Sequence, residues 1–327
     1  MELSVHLEIV KKAVESLGLN FEILDKYSKR VAEISCLDQS ILVQSPQYFC
    51  NSQTAASLAQ DKAYTDIILK RAGIATPQGD YFFKVEGENL TAKGVEEAFQ
   101  YANALGYPVF FKPINGSHGR FARVIYSDAE LYRQLVLLPG EYNGFVLQEV
   151  VSGCEHRLVI LKGKPYFSYK KYIPMLIANG MDSYETLLDK SPYEYERYQG
   201  YLSSVVGALS GIPERFQTIP LAPNANPNNG GVIEDFRTSF SKEIVDWSAK
   251  IYAATKLEVI GVDLFSPCDM DSDVGLFKVL EINSNPFLKT IYQNGYSDVA
   301  IGVWQVLLSE HFHLSIHREA VNGVPVV

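Results

Sequence analysis

Two apolar runs near the C-terminal end, Val259-Ile260-Gly261-Val262-Asp263-Leu264 and Leu276-Phe277-Lys278-Val279-Leu280-Glu281-Ile282-Asn283, constrain the fold more than any other part of the sequence. Successive side chains alternate across a strand, so period two puts Glu281 and Asn283 on one face and Leu280 and Ile282 on the other. Asp263 stands among apolar neighbours in the first run. Paired antiparallel through the 266–275 loop, the strands converge three hard oxygen donors. Such a set suits magnesium, which takes few carboxylates and keeps positions open for substrate phosphates. Spacing alone leaves a second reading open, in which each carboxylate marks a strand end in water.

Elsewhere, helical and strand periodicities alternate. Helical spacing of Val5, Ile9, Val10, Ala13, Val14 and Leu17 predicts a helix that Gly18 stops, and short strands follow near 21–24 and 41–43. Asp61 reads as the N-cap of a helix to Ala72, and a further helix spans 95–105. A strand over 107–112 enters the loop Asn115-Gly116-Ser117-His118-Gly119-Arg120, a strand at 124–126 returns, and a helix runs from Asp128 to about 138. Two or three strands fill 144–172, with Gly163-Lys164 as a hairpin turn. Prolines and glycines punctuate 174–230, the least regular stretch. A helix from Ser241 to about Lys256, strands at 258–265 and 276–283 and a helix over 298–308 complete the chain. This order is mixed α+β with antiparallel hairpins, not a strict βαβ series. It divides into a small α/β lobe over 1–60 and larger lobes over 61–148 and 149–327.

Composition excludes some partners. The formal charge of −9 opposes a nucleic-acid backbone, which needs a basic face. No run approaches the roughly 18 apolar residues of a membrane helix, so no membrane partner is expected. The opening residues lack a basic segment followed by an apolar one, and no secretory signal is read. Cys36, Cys50, Cys154 and Cys268 lie far apart without a CxxC pair, which reads as reduced thiols in the cytoplasm.

Lys112 ends a strand directly before the glycine-rich loop. Glycines let backbone N–H groups approach an anion, and the lysine adds a point charge. The Gly-Lys-Ser/Thr ending of a Walker loop is absent, and a plain hairpin loop is the alternative. Lys62 follows the cap Asp61, where a cation opposes the helix dipole; it either faces solvent or serves a bound phosphate.

Taken in order, Asp61-Lys62, Tyr107-Pro108-Val109 through Lys112-Pro113, Gln148-Glu149 with Gly153 and Glu155-His156-Arg157, Gly261-Val262-Asp263 and Glu281-Ile282-Asn283-Ser284-Asn285-Pro286 resemble an ATP-grasp ligase. The stretch Lys112 to Arg120, with Asn226 before Gly230-Gly231, is similar to the ATP-grasp part of cyanophycin synthetases and to the ligase domain of bifunctional glutathione synthetases. The resemblance covers about 51–290. It implies an ATP-grasp fold in which two α+β lobes clamp ATP, and an ADP-forming carboxylate–amine ligase that works through an acyl phosphate on an amino acid or short peptide. By that resemblance Lys62 and Lys112 hold ATP phosphates, and the loop Gly116, Ser117, His118, Gly119 closes over them. Gln148, Glu149 and Val151 line the adenine site, Glu155 binds ribose, Arg157 and Lys171 face the reacting groups, and Asp263, Glu281 and Asn283 hold Mg2+. The resemblance also allows a homodimer.

Two positions depart from the cyanophycin pattern. Phe121 stands where that pattern has glycine, and Leu221-Ala222-Pro223-Asn224-Ala225-Asn226 lacks the arginines placed before its asparagine. An altered acyl or acceptor substrate is the expected consequence. Three other signals are set aside. Asp269 to Gly275 resembles the front of a calcium loop, but Leu280 occupies the place of its bidentate glutamate. His311, His313 and His317 lack the glutamate of an HExxH arrangement. Tyr195, Tyr198 and Tyr201 recur every third residue and read as packing. An ATP-grasp small-molecule kinase and a silent nucleotide-binding module are the alternative functions.

Overall fold

The computed structural model describes residues 3–84, 93–116 and 119–314. Helix α1 (Val5–Ser16) is capped by the Ser4 hydroxyl, which accepts from the Leu7 amide, and it buries Leu7, Ile9, Val10, Ala13 and Val14. Strands β1 (Asn20–Ile23), β2 (Val31–Cys36) and β3 (Gln39–Gln44) form an antiparallel meander beside it. β2 was absent from the sequence reading, as was α2 (Gln53–Gln60). Helix α3 (Lys62–Arg71) starts where expected: the Asp61 carboxylate accepts from the amides of Ala63 and Tyr64, both at 2.9 Å.

β4 (Gly79–Phe83), α4 (Val95–Leu105), β5 (Val109–Pro113), β6 (Arg123–Ile125), α5 (Asp128–Leu137) and β7 (Gly144–Glu149) follow. Their four strands form an antiparallel sheet in the order β4-β7-β5-β6. Phe82, Phe111 and Phe145 stack along one of its faces under Ala98, Ala102, Leu131 and Leu135 of the two helices.

The second large sheet comes from β8 (Cys154–Leu161), β9 (Lys164–Tyr172), then, after β10 (Met175–Ile177), α6 (Tyr184–Asp189), α7 (Tyr195–Val206) and β11 (Thr218–Pro220), from β12 (Val232–Arg237), β13 (Val259–Ser266) and β14 (Lys278–Asn283). Its order is β12-β9-β8-β13-β14, antiparallel throughout. Helix α8 (Lys242–Thr255) lies against one face, where Trp247 and Ile251 meet Leu158, Ile160, Val262 and Ile282. α9 (Lys289–Gln293) and α10 (Ser297–His311) complete the chain, and α10 packs with α1 so that Tyr48 stacks on Trp304 at 5.2 Å. The β8–β9 turn is Lys162-Gly163, with φ of 48° and 82°, one residue earlier than expected. Two left-handed residues suit the right-handed twist of the flanking strands.

The punctuated stretch 174–230 has its own small core. Leu176, Leu188, Tyr198, Leu202 and Ile219 close it, and Tyr198 and Leu202 sit one turn apart on α7.

Gly153 fixes how the first large sheet leads into the second. Its φ is +131°, and a β-carbon there would lie 2.3 Å from the Ser266 carbonyl oxygen. Gly153→Ala therefore needs backbone movement and is expected to cost about 3 kcal/mol in urea unfolding; a loss below about 1 kcal/mol would show that the turn yields freely.

Candidate functional site

The strand register assembles a charged face. Across the second sheet, Lys171 on β9 lies opposite Glu155 on β8, Arg157 on β8 opposite Asp263 on β13, and Asp263 opposite Glu281 on β14. Gly261 pairs with Asn283 two residues along. All six polar residues thus share one side of the sheet, because positions two apart on a strand share a face. A β-carbon on Gly261 would stand 2.9 Å from the Pro286 ring, so this part of the face stays closely packed.

Asp263 is the hub. Its Oδ1 accepts from Arg157 Nε at 2.5 Å and Lys171 Nζ at 2.9 Å, and its Oδ2 from Arg157 Nη2 at 2.7 Å. Lys171 also pairs with Glu155. Burial raises a carboxylate's pKa, but here the Arg157 and Lys171 charges outweigh it and hold Asp263 well below the usual carboxylate range. Burial would lower the Lys171 pKa, yet the Asp263 and Glu155 charges prevail and raise it. Glu281 is different: half-buried, its carboxylate makes no hydrogen bond or ion pair among the described residues.

Facing β14 across a narrow cavity of about 30 Å3 is the first sheet, with Lys62, Lys112, Gln148, Leu280 and Glu281 among the lining. Ligand sites measure several hundred Å3, so the cavity as it stands has room for little more than water. Lys112 is buried and donates to the Leu280 carbonyl at 3.1 Å. Burial, helped by the nearby Lys62 charge, pushes its pKa down to about 8. Lys62 Nζ donates to the Gly116 carbonyl at 2.9 Å and lies 3.4 Å from that of Ile114, a half-buried position that water still reaches.

Among the remaining site candidates, Gly116 (φ +144°) and Gly119 (φ +68°) adopt conformations that favour glycine, whereas Ser117 and His118 lie outside the described residues. Glu149 turns its carboxylate to Lys278 and the Gln78 amide, away from the cavity. Val151 does not line the cavity. Phe121 has φ +59°, the left-handed region in which glycine is at ease. Its ring lies 5.5 Å from that of Tyr142, and its carbonyl accepts from Gln134. Those contacts offset the strain.

Asn226 caps a short 3-10 turn over Pro227–Asn229 that Gly230 ends at φ +98°. The reading of the sequence missed the supports of this turn: Tyr198 donates to the Gly230 carbonyl at 3.0 Å and Arg197 to that of Gly231 at 3.3 Å. The threefold tyrosine spacing was the available signal. Among the set-aside signals, His313 lies past the end of α10, and His317 is outside the described residues. Among the described residues no group of three or more His, Cys, Asp or Glu could hold a metal, so the oxygen set here is two carboxylates and an amide.

No family model matches the chain. In an alignment of 312 positions that covers 88% of the chain, it is 25% identical to the glutathione biosynthesis bifunctional protein of Desulfotalea psychrophila. Over 65% of the chain it is 23% identical to cyanophycin synthetase of Crocosphaera subtropica. The matches span only 38% and 26% of those two proteins. In structure it is similar to a bifunctional glutathione synthetase from Pasteurella multocida, with TM-score 0.59 and 18% identity over 94% of this chain and 44% of that one. D-alanine–D-alanine ligase from Bacillus anthracis gives TM-score 0.50 and 18% identity over 80% and 72% of the two chains. The architecture is the ATP-grasp fold of these structural neighbours, and in sequence the chain is similar to the two ligases named.

Proposed function

We propose that the chain is an ADP-forming carboxylate–amine ligase that acts on an amino acid or short peptide. The observation that carries this reading is the convergence of Arg157, Lys171, Asp263, Glu281 and Asn283 on one sheet face beside a cavity lined by Lys62 and Lys112. The names of the relatives, a glutathione biosynthesis protein and a cyanophycin synthetase, support it.

A carboxylate is a poor acyl donor because its leaving group would be oxide. Its oxygen therefore attacks the γ-phosphorus of ATP, the bond to ADP breaks, and an acyl phosphate forms. An amine then attacks the acyl carbon, phosphate leaves and the amine proton is lost. Lys62 and Lys112 hold the phosphates in line for attack, while Arg157 and Lys171 neutralise the oxyanion that develops. Gln148, which lines the cavity, would form the adenine side, and Glu155 would meet the ribose; Glu149 and Val151, outside the lining, would contribute only backbone groups of the strand that leaves it. Glu281, whose carboxylate is uncommitted, would lead the magnesium set with the Asn283 amide oxygen beside it; Asp263, whose oxygens accept from Arg157 and Lys171, would share them with the ion. When bound there, the ion supplies charge neutralisation at the phosphate oxygens. Separation and reclosure of the sheets excludes water from the acyl phosphate. The four unbridged cysteines support a cytoplasmic setting.

ADP release measured across pairs of amino acids and dipeptides, with mass detection of products, tests the reading. ADP that requires both an acid and an amine is expected. ADP that requires one acceptor, or none, contradicts it.

Lys112 adds a pH signature. Only its protonated form attracts phosphate, so nucleotide affinity is expected to hold below pH 8 and fall up to tenfold per unit above it. Titration calorimetry with ATP should show that decline disappear in Lys112→Arg. A decline unchanged in that variant would assign it to another group.

A further inference from the structure

The β13–β14 ladder stops beside the charged face. Gly261↔Asn283 is its last pair, and Val259 stays in register only with Leu161 of β8 on the other side. The edge of β13 that faced β14 thus loses its strand partner at Val259. A side chain from outside the sheet takes that place. Asn51 Nδ2 donates to the Val259 carbonyl at 2.9 Å and to the Ser284 carbonyl at 2.6 Å. Its Oδ1 accepts from the amides of Glu258 at 2.8 Å and Val259 at 3.0 Å. A primary amide has two N–H groups and two acceptor lone pairs, so Asn51 is fully used. It is not spent on the start of α2, which the Ser52 hydroxyl caps.

Tyr48 reaches the same segment. Its amide donates to Asn285 Oδ1 at 3.3 Å and its hydroxyl to the Pro286 carbonyl at 3.0 Å. Ser284, Asn285 and Pro286, the three residues directly after Asn283, therefore each receive a bond from Tyr48 or Asn51. Tyr48 and Ser284 are both buried, and the Tyr48 ring is fixed by its stack on Trp304. Neither Tyr48 nor Asn51 lines the cavity. Glu281, by contrast, has no bonded partner for its carboxylate among the described residues, so its place depends on the strand that carries it.

We propose that Tyr48 and Asn51 are positioning residues for the metal ligands: they anchor the backbone after Asn283, and so set where the Asn283 amide and the Glu281 carboxylate stand relative to Asp263. The inference deepens the ligase reading and rests on its magnesium set. Groups that orient ligands without touching the ion raise its affinity, because the ligands need not be ordered when it binds. The lobe over 1–60, most of which precedes the resemblance, thereby serves a site that it does not line.

The probe is Mn2+ titrated into the full chain with ADP, and water-proton relaxation reads the protein-bound ion without turnover. Tyr48→Phe removes only the hydroxyl on Pro286; Asn51→Asp keeps both acceptances and loses both donations. Each is expected to weaken Mn2+ binding about tenfold, while ADP affinity in EDTA changes less than about threefold. Ile9→Ala, in the core of the same lobe, should lower the melting temperature at least as far yet leave Mn2+ affinity within about twofold. An equal Mn2+ loss in Ile9→Ala, or an equal loss of metal-free ADP affinity in the clamp variants, would assign the effect to general loosening and overturn the proposal. Should Asn51→Asp fail to fold, Tyr48→Phe decides alone. Unchanged Mn2+ affinity in the clamp variants, with Glu281→Gln weakened, overturns the positioning role and leaves the metal assignment standing. Unchanged affinity in Glu281→Gln as well defeats the metal assignment and this inference with it.

Discussion

Asp263→Asn is expected to lower unfolding stability by about 3–5 kcal/mol, because it strands the buried charge of Lys171 and the largely covered one of Arg157. The pair itself need not be a net source of stability, since desolvation opposes the attraction. Breaking one side is what costs. The sign with pH follows from the direction of the shift: Asp263 titrates well below an ordinary aspartate, so its contribution is complete above about pH 4 and is lost as pH falls toward the native-state value. Urea unfolding between pH 7 and pH 3 should show an acid-dependent loss in the parent chain and a weaker one in the variant. Adding Arg157→Gln should recover part of the stability, as coupled neighbours do. A single-variant cost below about 1 kcal/mol would mean that water already screens the cluster.

Glu281→Gln should do the reverse. Glu281 faces Asp263 in register yet has no bonded partner among the described residues, so its loss should change stability by roughly 0.5 kcal/mol. ADP formation, by contrast, should fall roughly a thousandfold or more, because a carboxylate proposed to hold the metal at the phosphates is gone. The check is ADP release beside a melting curve of the same preparation. Undiminished turnover would defeat the metal assignment. The two variants thus test two different carboxylates: Asp263 is held by Arg157 and Lys171, whereas the Glu281 side chain has no bonded partner among the described residues.

Local patterns made some of this legible in advance. The Asp61 cap and the shared face of Glu281 and Asn283 both depend on neighbours a few residues away, and both appear in the structure; the expected place of Leu280 beside Ile282 does not, because a bulge opposite Asp263–Leu264 puts Val279 in the core instead. The clamp on Asp263 does not, because it arises from the order β9-β8-β13-β14, which joins residues 92 to 106 positions apart. Helix α7 was hidden in a stretch that proline and glycine punctuate. It carries Gly200 within it and is held by Tyr198 and Leu202 packing on β10 and β11, a tertiary cause. The first-turn position of Lys62 suits solvent and phosphate equally; the fold turns it onto the Gly116 carbonyl. Phe121 was seen only as a missing glycine, and its positive φ explains why glycine belongs to that pattern.

The central claim, that a carboxylate is phosphorylated in the cleft before an amine takes it, is open to one isotopic measurement. With an acid substrate carrying oxygen-18 in both carboxylate oxygens, complete turnover should place one labelled oxygen in each released phosphate, because the acyl–oxygen bond breaks when the amine attacks. Phosphate released without label, with ADP still accumulating, would mean that water or another acceptor takes the phosphoryl group and that the carboxylate is never activated.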